Sequence, residues 1–137
     1  MTMTARRIQI TEDDMPRLRD LVETRRNSAR RDQHHLEELA RELDHAEIVP
    51  AADVSPDVVT MHSVVRVRDL DSGARAVYTL VFPSDADIEQ RRISILAPIG
   101  TALIGYCVGD QIEWSTPGGM RRFEIEEVLY QPEMAAA

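Results

Sequence analysis

"LVFPSDADIEQRRISILAPIGTALIGYCVGD", residues 80–110, is the stretch on which the fold turns. Its apolar opening closes a strand that begins at Ala74, and "PSDAD" breaks that strand. "RISIL" at 92–96 restores strand character, so the segment between is a loop carrying Asp85 and Asp87. "APIGTALIG" then reads as a short helix starting near Pro98, since a proline in the first helical position gives up an N–H that has no partner there anyway. "VGD" at 108–110 is a turn.

The same pattern continues on both sides. Downstream, "QIEWS" and "MRRFEIEEVLY" flank "TPGG" as a hairpin, with Phe123, Ile125 and Val128 facing inward and Arg122, Glu124 and Glu126 facing water. Upstream, Val65 and Val67 alternate with Arg66 and Arg68, "DSG" at 71–73 turns the chain, and Ala74–Phe82 returns as the partner strand. Residues 58–137 are therefore expected to be α+β, an antiparallel sheet with one short helix packed on it.

Ahead of this region the texture changes. "VPAADVSPD", residues 49–57, has no periodicity and reads as a linker. Residues 11–48 contain no Gly and a single proline, Pro16, placed early enough for a first helical turn. Thr11 followed by Asp14 resembles a capping box with a shorter acid, and Glu12, Asp13 and Asp14 suit the positive end of a helix dipole. Met15, Leu18, Leu21 and Val22 share one face, while Leu36, Leu39, Leu43 and Ala46 make a narrow seam on a second helix. Neither seam can bury itself alone, and the short connection around Asn27 and Ser28 forces neighbours antiparallel, so residues 1–48 are expected to form an αα-hairpin, a short coiled coil. With about 16 residues per arm its tip would stand roughly 24 Å from its base. Arg25, Arg26, Arg30, Arg31 and Asp32 fall at that tip.

Composition narrows the function classes. The chain has 137 residues, a 43% hydrophobic and 29% charged share, and a net charge of −8, ordinary values for a folded domain. The window 24–35 carries +3, which leaves −11 on the remainder and disfavours an extended nucleic-acid surface; no sequence-specific DNA binding is expected. All 16 basic residues are Arg, the side chain suited to planar pairing with carboxylate or phosphate. One cysteine, Cys107, excludes an internal disulfide and reads as a small core residue. No leader pattern opens the chain and no run approaches the ~20 apolar residues of a membrane span, so a cytoplasmic address without membrane contact is expected. His34, His35, His45 and His62 lack ligand spacing with Cys or an acid cluster, and Gly118 and Gly119 serve a turn, so neither metal nor cofactor is expected.

The run 80–110, followed by "TPGG" at 116–119 and "FEIEEVLY" at 123–130, resembles the C-terminal domain of the Gre transcript-cleavage factors. "DAD" at 85–87, the proline-led "PIGTALIG" and the ensuing "VGD" carry the resemblance, which spans residues 58–131. "PDVVTMHSVVRVRDL" and the short N-terminal hairpin look closest to the group named regulator of nucleoside diphosphate kinase, or Rnk. The resemblance implies an FKBP-like C-terminal domain behind a coiled-coil hairpin, and as partner the core of bacterial RNA polymerase, at the secondary-channel rim of its largest catalytic subunit. It further implies that Asp85, Asp87 and Pro98 contact the polymerase. Ala97 departs from the Ser-Pro pair usual in the family.

The tip separates function within that family. A cleavage factor must supply acidic oxygens beside the polymerase's metal ions, and guanidinium groups cannot coordinate Mg²⁺. Arg25, Arg26, Arg30 and Arg31 against the lone Asp32 therefore predict a non-enzymatic polymerase-binding regulator that competes with Gre-type factors without stimulating cleavage; the alternative for these arginines is a solvated helix turn. Three other functions stay open. An active cleavage factor would shorten RNA in a halted complex. A prolyl isomerase of the FKBP type would need an aromatic pocket, and the chain has six aromatics: Tyr78, Phe82, Tyr106, Trp114, Phe123 and Tyr130. A nucleic-acid module would bind with a salt dependence set by a few phosphates.

Overall fold

A computed structural model describes residues 8–26, 33–116 and 118–136. Seven strands and four helices follow in the order β1 (Gln9–Thr11), α1 (Asp14–Arg26), α2 (Gln33–His45), β2 (Glu47–Val49), β3 (Val64–Asp69), β4 (Arg75–Val81), β5 (Arg92–Ser94), α3 (Pro98–Leu103), β6 (Gln111–Thr116), β7 (Gly119–Tyr130) and α4 (Pro132–Ala136). The main sheet has the order β5-β4-β3-β7-β6, and β1 with β2 makes a separate parallel pair.

The α+β expectation holds, with differences in detail. The sheet is mixed: β3, β4, β6 and β7 pair antiparallel, but β5 lies parallel to β4 at the edge. Ten residues separate Val81 from Arg92, too many for a tight hairpin, and they carry the chain back to the start of a parallel neighbour. The helices of the hairpin are 13 residues each rather than about 16, because residues 9–11 and 47–49 are drawn into the β1–β2 pair at its base. Each arm is thus about 20 Å long at ~1.5 Å per residue. The 3₁₀ turn Ala51–Asp53 and buried Val49 and Val54 occupy the segment read as a linker.

Local chemistry explains the starts and bends. The Thr11 hydroxyl accepts a hydrogen bond from the Asp14 backbone N–H at 3.1 Å, capping α1. In β7, the pairing Val67 to Ile125, Arg66 to Glu127 and Val65 to Val128 inserts Glu126 as an extra residue. That bulge lets Ile125 and Val128, three positions apart, both face the core. The two glycines of "PIGTALIG" allow close approach: a Cβ on Gly100 would lie 2.1 Å from the Ser94 carbonyl oxygen, and one on Gly105, whose φ is +82°, would lie 2.6 Å from Ile8. The helix α3 therefore sits tight between the end of β5 and β1.

One core spans both halves. Leu18 and Val22 of α1, Leu36, Leu39 and Leu43 of α2, Leu103 of α3 and Val65, Val67, Leu80, Ile93, Ile112 and Ile125 of the sheet belong to a single buried cluster. The hairpin seam is buried between its own helices and against β1 and α3, through which it joins the sheet's core. Val49, Val54 and Val58 form a smaller cluster that half-buried Cys107 packs against.

Candidate docking surface

The loop between β4 and β5 is braced by its own backbone. Pro83–Asp85 forms a 3₁₀ turn in which Phe82 O accepts from Asp85 N at 2.9 Å and Pro83 O from Ala86 N at 3.2 Å. Asp87 and Arg92 exchange two backbone hydrogen bonds, 2.9 and 3.0 Å, that close the loop. Within it a second 3₁₀ turn, Ile88–Gln90, starts at Asp87, whose carboxylate accepts from Glu89 N at 3.1 Å, and ends at Arg91 in the left-handed region. Turns satisfied in this way hold their side chains outward without tertiary support.

What they hold outward is an apolar residue in an acidic frame. Ile88 is 70% exposed, the most exposed large hydrophobic among the described residues, and it stands between Asp87 and Glu89 with Asp85 exposed nearby in sequence. Among the described residues no ion pair engages Asp85 or Glu89. Pro98 begins α3 at the end of β5, where Val81 pairs with Ser94, so it shares the sheet corner from which the acidic loop departs. Ala97 occupies the N-cap with the extended φ and ψ of −71° and 151° but offers no side-chain cap. Asp85 and Asp87 thus share one loop with Ile88, between β4 and β5, and Pro98 follows the end of β5. The signal of Ile88 in the sequence was an isoleucine flanked by acids inside a loop, outside any strand alternation.

At the other end of the molecule the arginines divide. Arg26 is clasped: its Nε and Nη2 donate to the two Glu37 oxygens at 3.2 and 3.1 Å, and Nη1 reaches Glu23 at 3.4 Å. Bidentate pairing with Glu37 holds its guanidinium pKa above the ordinary value. Arg19 repeats the device lower down, donating to Asp44 at 2.6 Å and to Leu43 O at 3.3 Å. Arg19 and Arg26 lie two turns apart on α1, as Glu37 and Asp44 do on α2, so the two clasps define one antiparallel register. Arg25 is half-buried at the end of α1, and Arg30, Arg31 and Asp32 lie outside the described residues.

The open face of the sheet consumes further charge. Glu126, the bulged residue, accepts from Arg75 at 2.9 Å and from Arg66 at 3.1 Å, which lowers its carboxyl pKa. Arg66 also donates to Glu127 and Arg68 to Glu124. Asp69 is held low by Arg121 first and by the backbone N–H groups of Asp71 and Ser72 next. Four of the six aromatics are spent on packing, while Tyr130 is exposed. Phe123 is buried, and Tyr78, Phe82 and Tyr106 lie half-buried against the core.

Comparison with known proteins agrees with this layout. Residues 54–130 match the family described as "Transcription elongation factor, GreA/GreB, C-term", and residues 6–49 match "Rnk N-terminus". A "Regulator of nucleoside diphosphate kinase" from Escherichia coli (strain K12) is 43% identical over 98 residues, covering 71% of this chain and 72% of the relative. A "Transcription elongation factor GreA" from Syntrophus aciditrophicus (strain SB) is 33% identical over 97 residues, 71% of this chain and 60% of the relative. Among solved structures, "Prokaryotic transcription elongation factor GreA/GreB from Nitrosomonas europaea" superposes with a TM-score of 0.76 at 43% identity, over 90% of this chain and 100% of that one.

Proposed function

This chain belongs to the GreA/GreB family of transcription elongation factors, with a Rnk-type N-terminus, and on that premise we propose that it is a non-catalytic regulator that binds bacterial RNA polymerase core at the secondary-channel rim and competes there with Gre-type cleavage factors. The observation that carries the docking reading is the braced acidic loop with Ile88 at its centre. An exposed apolar side chain framed by carboxylates fits a partner surface with an apolar pocket ringed by Arg or Lys. The apolar contact would supply most of the affinity and the charges orientation and on-rate. Pro98 and the start of α3 extend the same edge.

The absence of cleavage chemistry is supported at the hairpin. Holding a second metal ion requires carboxylate oxygens free to coordinate it. Glu23 and Glu37, which flank the turn, both spend oxygens on Arg26. Residues 27–32 read Asn-Ser-Ala-Arg-Arg-Asp, with one acid and two guanidinium groups. A prong of about 20 Å with that end would obstruct the channel without recruiting magnesium. The test is a halted elongation complex. The chain is expected to leave the transcript at full length and to slow the shortening driven by an added Gre factor; shortened RNA with the chain alone would refute the reading.

A further inference from the structure

The base of the hairpin meets the start of the acidic loop at one aromatic ring. Phe82 is the last residue before Pro83–Asp85, and its carbonyl accepts the hydrogen bond that closes that 3₁₀ turn. On one side the guanidinium carbon of Arg17, from α1, sits 4.6 Å from the ring centroid, a cation–π distance. On another the His62 ring stands 5.8 Å away, tilted by 55°. Arg17 is otherwise on the exposed side of α1, whose buried positions are Asp14, Met15, Leu18 and Val22.

His62 is held there at a cost. Its φ is +70°, the left-handed region, within a turn closed by Ser63 N donating to Thr60 O at 3.0 Å. Such a position favours Gly or Asn, and a strained residue kept by its surroundings points to a role for its side chain. The turn is fixed on all sides. His62 N donates to Leu80 O at 2.6 Å, Met61 N donates to the buried Asp14 carboxylate at 3.2 Å, and Thr60 Oγ1 donates to Glu133 of α4 at 2.7 Å. The segment 60–63 is therefore the joint at which α1, the sheet, the C-terminal helix and the acidic loop meet.

We propose that Arg17, Phe82 and His62 form a positioning device that sets the direction of the helical hairpin relative to the acidic loop, so that a partner gripping the loop receives the hairpin at one fixed angle. The proposal rests on the docking reading for its partner, and not for its geometry. None of the three residues belongs to the docking edge itself; they act through the loop that Phe82 launches. A cation over a ring at an exposed site biases an equilibrium about two- to fivefold, so on a hairpin whose seam the shared core already holds it sets only the residual tilt between α1 and the loop.

The test uses the full chain in a Cys107→Ser background with spin labels at exposed Asp20→Cys and Ala86→Cys, and the unlabelled chain with bacterial RNA polymerase core. Wild type is expected to give a narrow distance distribution. Arg17→Gln and Phe82→Leu broaden it and weaken core binding about two- to fivefold, in line with a single cation–π contact; Arg17→Lys and Phe82→Trp restore both. His62→Gly keeps the melting temperature, since it relieves the left-handed backbone, yet shows the same broadening and loss. A merely structural contact would move melting temperature and leave these readouts alone. The proposal is overturned if Arg17→Gln leaves the width or the affinity at its wild-type value. Should wild type fail to bind core, the docking reading falls while the distance distributions still judge the device.

Discussion

Leu39→Ala tests whether the hairpin and the sheet are one cooperative unit. Leu39 is fully buried on α2, within the cluster that also holds Leu103 of α3 and the inward residues of β3, β4, β6 and β7. Deleting its side chain removes the transfer energy of three carbons and leaves a cavity that a tightly packed seam cannot collapse, a loss of about 3 kcal/mol within the usual ~2–5. For a chain of this size that lowers the melting temperature by roughly 10 °C. Two optical probes separate the halves: helical circular dichroism is dominated by α1 and α2, while Trp114, the chain's one tryptophan, lies on β6. With a shared core both probes melt together in wild type and shift by the same amount in the variant. A helical signal lost early while Trp114 holds its wild-type midpoint would refute the shared core.

Further expectations follow from single positions. Ile88→Asp should cut affinity for polymerase core tenfold or more, the cost of roughly 1.5–3 kcal/mol of lost apolar burial at an interface, while an unchanged melt confirms the fold; undiminished binding would remove Ile88 from the docking edge. Ala97→Ser places a hydroxyl at an N-cap that already has extended geometry, and should raise stability by about 0.5–1 kcal/mol in denaturant titration. Burial raises the Asp14 carboxyl pKa above its ordinary 3.8, against the Met61 N–H that lowers it. Ionised Asp14 therefore costs stability at neutral pH, and its contribution is recovered as pH falls through the raised value toward 3.8. Asp14→Asn should accordingly melt above wild type at pH 7 and lose that advantage in acid; a constant difference contradicts the assignment. Glu126, Asp44 and Asp69, held low by Arg75, Arg19 and Arg121, contribute in the opposite sense and lose their stabilisation as pH falls below the ordinary carboxylate range.

Much of this architecture is legible in the residues. The alternation of Val65 and Val67 with Arg66 and Arg68, the proline at Pro98 and the Thr11 cap each announce an element through local chemistry that the tertiary structure keeps. The β1–β2 pair is not legible, because strands of three residues carry no period, and their pairing is set by contacts distant in sequence: Glu47 N–H on Ile8 O and Glu12 N–H on Val49 O, with Gln9 N–H on Gly105 O beside them. The parallel placement of β5 depends on the path of the loop, which "PSDADIEQ" does not encode. The bulge at Glu126 was foreshadowed only by the spacing of Ile125 and Val128. At the site, Asp85 and Asp87 stand out as charges, whereas the exposure of Ile88 emerges only once its neighbours' backbone bonds are placed. Arg26 shows the converse: it reads as part of a cationic tip, and the structure pairs it at the surface with Glu37 of the other helix, an i-to-j pairing that no window of sequence displays.

The most direct measurement is displacement of a labelled Gre factor from bacterial RNA polymerase core by this chain. Stoichiometric displacement, lost when Ile88 carries a charge, is the expected result. A complex in which core holds both proteins at once would contradict the shared docking site.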